Sequence, residues 1–256
     1  GQPETAAIVW EAAATAYIAS DNLPKAQQAQ LNQARALQTA GFYRRSIDLL
    51  ETLTAELQTQ APSVVALQAS RTLGDAYRLT GNLTGAETQL QRSLELAQQL
   101  ALSDEISASN RKLGDVVRLQ DRRDRDSVAL GYYNEAARAA VGVLPRFQAQ
   151  LAKLQLWIDL EQWQLAYDQA LSLWESQADL PGDRAGLYVR IDYLRALQQV
   201  RQAIATTLAD TNPVPTTDWY VFVQETFATD LNQLRRNTSS AFSRSLRDNP
   251  LWYVID

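Results

Sequence analysis

Along most of the chain apolar residues recur at intervals of three and four while polar residues fill the positions between, the pattern of helices that bury one face. Small and large apolar residues alternate at this spacing in three successive stretches: Gly74, Tyr77, Gly81, Ala86 and Leu90; Gly114, Val117, Ala129, Tyr133 and Ala136; Leu154, Trp157, Ala166, Ala170 and Leu173. A Gly or Ala facing another helix lets two backbones approach, and a bulky partner fills the gap beside it. The pattern predicts helices near 4–20, 24–40, 43–59, 63–80, 83–101, 104–120, 127–142, 146–160, 163–178, 183–198 and 200–209.

The breaks between these helices are regular. Pro24, Pro62, the Ser103-Asp104 pair, Pro145 and Pro181 follow one another at 38, 41, 42 and 36 residues, and Pro, Ser and Asp are all suited to the first turn of a helix. Midway through each unit lies a second break: Gly41, Gly81, the charged run Asp121–Asp126, Glu161-Gln162 and Gln198-Gln199. Each unit is therefore a helical hairpin. The segments LGDAYRL at 73–79 and LGDVVRL at 113–119 repeat Leu, Gly, Asp, Arg and Leu at a spacing of 40 residues, the mark of a stacked repeat array.

With its small residue early in the second helix, this pattern resembles the tetratricopeptide repeat (TPR) over residues 24–209. The expected fold class is all-α: a right-handed, TPR-like superhelical solenoid of about five helical hairpins, with a further long helix at the C-terminal end. More narrowly, LQTAGFYRRSIDLLE followed by LGDAYRLTGNL is similar to TPR arrays of cyanobacterial-type proteins that often precede a CHAT domain, a caspase-like peptidase. That peptidase uses Cys and His, and this chain has neither. The resemblance thus implies a sensor or regulatory region whose catalytic domain lies elsewhere.

The texture changes after Asp210. TNPVPTTD reads as a linker, and Trp219, Phe222, Val223, Phe227, Leu231, Leu234, Phe242 and Leu246 follow helical spacing up to the DNP at 248–250. The division is thus 1–210, a helical repeat domain, and 211–256, a linker with a helix that caps the stack or docks on a partner, a second copy included. The apolar ending LWYVID reads as a truncated strand or the start of a domain. The run DRRDRDS in the third unit reads as a solvated loop with internal ion pairs, and alternatively as a docking loop.

Composition narrows the chemistry. The chain of 256 residues contains no Cys and no His, which removes thiol catalysis, imidazole bases, disulfides and zinc sites built on those ligands. A net charge of −5 disfavours nonspecific binding to nucleic acid or anionic membrane. No Gly-rich phosphate loop or nucleophile elbow is present, and no cofactor is expected. Acids at Asp159, Glu161, Asp168 and Glu175 keep in view a glycosidase-like α/α toroid, but their generic surface spacing favours a non-enzyme. The chain carries no initiating Met and no leader, so it reads as processed, with Gly1 a cleavage scar; as a soluble chain it suits the cytoplasm or export after leader removal.

Of 24 cations 21 are Arg, whose planar fork pairs in fixed geometry. With Gly74 and Gly114 taken as buried, Arg71, Asp75 and Arg78 point into a concave groove, as do Arg111, Asp115 and Arg118 one unit later. Flanking units add Gln28, Arg35 and Gln38 on one side and Tyr188, Asp192 and Arg195 on the other. Two readings compete: each Arg pairs locally with its Asp, or the guanidinium groups receive carboxylates of a protein or peptide partner with acidic segments. TPR proteins that clamp a C-terminal carboxylate use Lys and Asn on this face. Here Arg, Asp and Gln stand instead.

Overall fold

A computed structural model of the protein describes residues 2–210, and among these every regular element is helical. In chain order the helices are α1 (Gln2–Ala19), α2 (Leu23–Thr39), α3 (Tyr43–Gln58), α4 (Val64–Leu79), α5 (Leu83–Gln99), α6 (Ser103–Val117), α7 (Arg125–Ala139), α8 (Val143–Asp159), α9 (Trp163–Ser176) and α10 (Arg184–Asp210), with a 3-10 turn at Gln177–Asp179. The predicted C-terminal helix, its apolar stripe and the LWYVID ending lie outside the described residues.

Helix stops set the period. Asp21, Gly41, Gly81, Ala101 and Glu161 all adopt left-handed backbone, with φ from 53° to 85°, and their positions are separated by twenty residues or a multiple of twenty. At each stop the amide of the following residue reaches back to the last turn of the helix: Asn22 to Tyr17, Phe42 to Leu37, Asn82 to Tyr77, Leu102 to Ala97 and Gln162 to Trp157, all at 2.8–3.0 Å. These bonds satisfy carbonyls that a helix end leaves open. One helix and one turn thus occupy twenty residues, and two make the 40-residue period. Side-chain caps start the next helix: Asn22 accepts from the Lys25 amide, Ser63 from Ala66 and Asn82 from Gly85.

The described residues divide into two compact units, 2–149 and 150–210. In the first, Leu31, Ala34, Leu50, Leu53, Leu67, Leu73, Leu96 and Ala97 form one core cluster, and Ala86, Leu90, Leu94, Leu113 and Val116 form a second. The glycines of the two LGDxxRL segments sit where helices touch: a Cβ on Gly74 would lie 2.7 Å from Leu90 Cγ, and one on Gly114 2.5 Å from Tyr133 Cε1. Ser93 and Ser109 share a buried hydroxyl pair at 2.9 Å between α5 and α6. In the second unit Leu154, Leu156, Ala166, Ala170, Leu173 and Leu197 are buried, and the Tyr193 hydroxyl donates to the Ala170 carbonyl at 2.7 Å.

One expected break is not there. Helix α10 runs unbroken from Arg184 to Asp210, through Gln198-Gln199, so residues 183–198 and 200–209 are one helix and not a hairpin. The dipeptide holds two good helix formers and no Gly, Pro or capping residue, while Leu197 and Val200 are buried on either side of it. Helix α8 also starts earlier than its proline, at Val143, leaving Pro145 in the first turn, where its missing N–H costs no bond. No helix among the described residues is long and apolar enough to cross a membrane.

Candidate functional site

The first helices of the hairpins in the first unit, α2, α4 and α6, each bury one side and leave a polar stripe on the other. On α4 the core takes Ala69, Leu73, Gly74 and Ala76, and Gln68, Arg71, Asp75 and Arg78 stay partly exposed. These four recur at intervals of three or four, so they share a face. On α6 and its C-cap the same registers hold Ala108, Arg111, Asp115 and Arg118, and on α2 they hold Gln28, the buried Leu31, Arg35 and Gln38.

The stripes are joined from one helix to the next. Arg35 on α2 donates to Gln68 Oε1 on α4 at 3.1 Å, Gln68 donates to Glu105 Oε1 on α6 at 3.4 Å, and Arg71 pairs with the other oxygen of Glu105. Arg71 therefore meets the Glu105 carboxylate directly, and Arg35 reaches it only through Gln68. Burial, and after it the charge of Arg71, hold the Arg35 guanidinium below its ordinary value, with Glu105 acting in the opposite sense. The Gln38 amide is spent within the stack, donating to Ser46 Oγ and to the Thr72 carbonyl, both at 3.1 Å.

Further along α4, Lys112 Nζ of α6 lies 3.0 Å from Asp75 Oδ1, and Arg78 Nε stands 3.8 Å from the same oxygen. Neither contact has hydrogen-bond alignment, so Asp75 Oδ1 and Arg78 Nε are buried without a hydrogen bond. Arg111 stands 3.8 Å from Asp115. Asp115 accepts instead from the Tyr133 hydroxyl at 2.9 Å, and Arg118 meets the same hydroxyl. Local Arg–Asp pairing along one helix, the first of the two sequence readings, is thus present on α4 and α6, at 3.8 Å in both. The short contacts run between helices and use Gln68, Glu105 and Lys112, which sequence comparison of the units passes over because their counterparts 40 residues away are Ala108, Val65 and Thr72.

Within the first unit the face formed by α2, α4 and α6 holds Arg35, Arg71, Arg78, Arg111, Lys112 and Arg118 against Asp75, Glu105 and Asp115, six cations to three carboxylates. A further acid in the register of the α6 stripe, Asp104, lies outside this count of cation-facing acids, its Oδ1 accepting from the amides of Val141 and Gly142 at 2.9 and 3.0 Å. The surplus stands on a chain whose net charge is −5. Gln28 donates to Asn32 on its own helix.

The remaining predicted residues lie in the second unit. Arg195 pairs with Asp192 at 3.1 Å, with both side chains about 60% exposed, and Tyr188 carries the Arg184 guanidinium 5.4 Å above its ring. Asp159 and Asp168 each accept from a Gln four residues before, at 3.1 and 3.0 Å. In the DRRDRDS run Arg122 grips Asp124 with two bonds of 2.7 and 2.8 Å. That fork holds the Asp124 carboxyl below its ordinary range on an exposed turn. Among the described residues no group of three or more Asp or Glu side chains could hold a metal ion.

This arrangement of hairpins is similar to BtubC (BKLC) from P. vanneervenii, with a TM-score of 0.61 and 13% identity over 85% of this chain and 96% of that one. The fold is TPR-like. It is also similar to the nearly identical TPR-like repeats of a protein described as a kinesin light chain from Podosopora anserina, with a TM-score of 0.53 and 16% identity over 86% of this chain and 96% of that chain. No protein-family model and no curated protein sequence matches the chain. At these identities the likeness to TPR-like proteins is one of fold.

Proposed function

We propose that the protein is a non-catalytic interaction scaffold that takes up a partner polypeptide on the concave, Arg-lined face of α2, α4 and α6. The observation that carries this reading is the excess of six cations over three carboxylates on one face of an acidic chain. Cations whose nearest carboxylates are shared or 3.8 Å away keep donors for an arriving anion, and an acidic segment of a partner supplies anions in series. TPR-like neighbours favour an interaction role. The reading as a sensor arm of a CHAT peptidase polypeptide rests on resemblance and has no observation of its own here.

Arg78 and Arg111 are the guanidinium groups held most loosely by their acids, at 3.8 Å, and so the ones to replace. Peptides selected from a random display library on the full chain should bind the Arg78→Ala, Arg111→Ala variant about tenfold more weakly or worse, and added salt should weaken the wild-type complex. Melting and circular dichroism should be unchanged. Selected peptides that bind wild type and variant alike would overturn the assignment to this face.

A further inference from the structure

Beside the cations of this face stand two leucines that the core does not use. Leu79 closes α4 and is 50% exposed; Leu119, in the turn that ends α6, is 53% exposed. They are 40 residues apart, each directly follows an Arg of the LGDxxRL segment, and α2 has the polar Thr39 in the same register. A single exposed Leu is ordinary on any surface. Here a pair stands at equivalent positions of adjacent repeats, each next in sequence to an Arg, and is placed to act as an apolar ledge across two repeats. At its α4 end Arg78 Nε makes no hydrogen bond and lies 3.8 Å from the nearest carboxylate oxygen.

We infer that the partner segment taken up on this face interleaves acidic and apolar residues over about six positions. The inference rests on the scaffold reading above and adds the chemistry of the ligand. Crossing from α4 to α6 at the level of the ledge, a polypeptide meets Arg78 and Leu79 and then Arg118 and Leu119. Packed helices stand about 8–10 Å apart, and extended chain advances about 3.3 Å per residue, so each repeat is spanned by about three residues. Charge complementarity selects the acids, since three carboxylates face six cations. The leucines select apolar side chains between those acids and reject a purely acidic run.

The test uses the full chain and three synthetic peptides of equal length built on the three-residue period of the repeats, Glu-Leu-Gly, Glu-Ser-Gly and Gln-Leu-Gly, each named below by its first two residues. The Glu-Leu peptide should bind about tenfold more tightly than either of the others, a ratio set by covering two half-exposed leucines and by the cation surplus. Replacing Leu79 and Leu119 by Ser, at exposed positions that leave the fold intact, should erase the advantage of Glu-Leu over Glu-Ser and leave Glu-Ser affinity unchanged. Equal binding of Glu-Leu and Glu-Ser by the wild type would overturn the ledge while leaving the Arg-lined face standing. Equal binding of Gln-Leu and Glu-Leu would overturn the need for acids. Binding of none of the three would sink the inference, while the scaffold reading stands or falls on the library-selected peptides.

Discussion

At Gly114 the side chain is a hydrogen because nothing larger fits: a methyl there would stand 2.5 Å from the ring of Tyr133, which is itself fully buried and tied to Asp115. Tyr133 cannot swing clear without breaking that bond. Gly114→Ala should therefore cost about 1–3 kcal/mol through overpacking, read as a lowered melting point. A variant that melts with the wild type would show that the α6–α7 contact is looser than described. Tyr77 gives a second, pH-dependent handle. Its hydroxyl donates to Glu51 Oε1 at 2.5 Å, and burial, with that carboxylate next in effect, pushes its ionisation up to about 12. A group whose folded value is raised is stabilising below its unfolded value, near 10, and loses that contribution as pH rises through the folded value. Unfolding free energy should thus fall between about pH 10 and pH 12, and Tyr77→Phe should flatten that part of the profile. An unchanged slope in the variant would remove Tyr77 as the cause.

Helices divide by how openly the sequence announces them. The stops at Gly41 and Gly81 were legible because a left-handed residue in a tight turn favours Gly, and Pro24 marked a helix start, whereas Pro62 stands just before the Ser63 cap of α4 and not in its first turn. The repeated LGDxxRL segments gave the core register, since Gly74 and Gly114 are where neighbouring helices touch. What repetition could not show is what differs between repeats: Glu105 and Lys112 replace Val65 and Thr72, and they make the ties from α4 to α6. A false break at Gln198-Gln199 came from extending the 40-residue rhythm where no local signal supported it. Gln199→Pro tests the corrected helix: inside α10 it should cost about 3 kcal/mol or more, whereas in a turn it would cost little. Likewise Arg71→Ala combined with Glu105→Gln should show, in a double-mutant cycle, a coupling of about 0.5–2 kcal/mol. Strictly additive losses would mean that this pair does not tie α4 to α6.

Taken as a whole, the described chain is a TPR-like series of hairpins whose first unit gathers cations on one helix face while the protein remains acidic. In the proposed scaffold, segregation of this kind would steer a complementary segment more than it strengthens the fold, because exposed pairs contribute little to stability. On this face Arg78 and Arg111 stand 3.8 Å from their acids, which suits the proposed exchange of internal partners for those of a ligand. The direct measurement is hydrogen exchange on the full chain with and without a peptide selected to bind it, read segment by segment. New protection should fall on α2, α4 and α6, strongest around Arg71–Leu79 and Arg111–Leu119, and should fade as salt is raised. Protection confined to α3, α5 and α7, to the second unit or to residues 211–256 would contradict the assignment of the binding face.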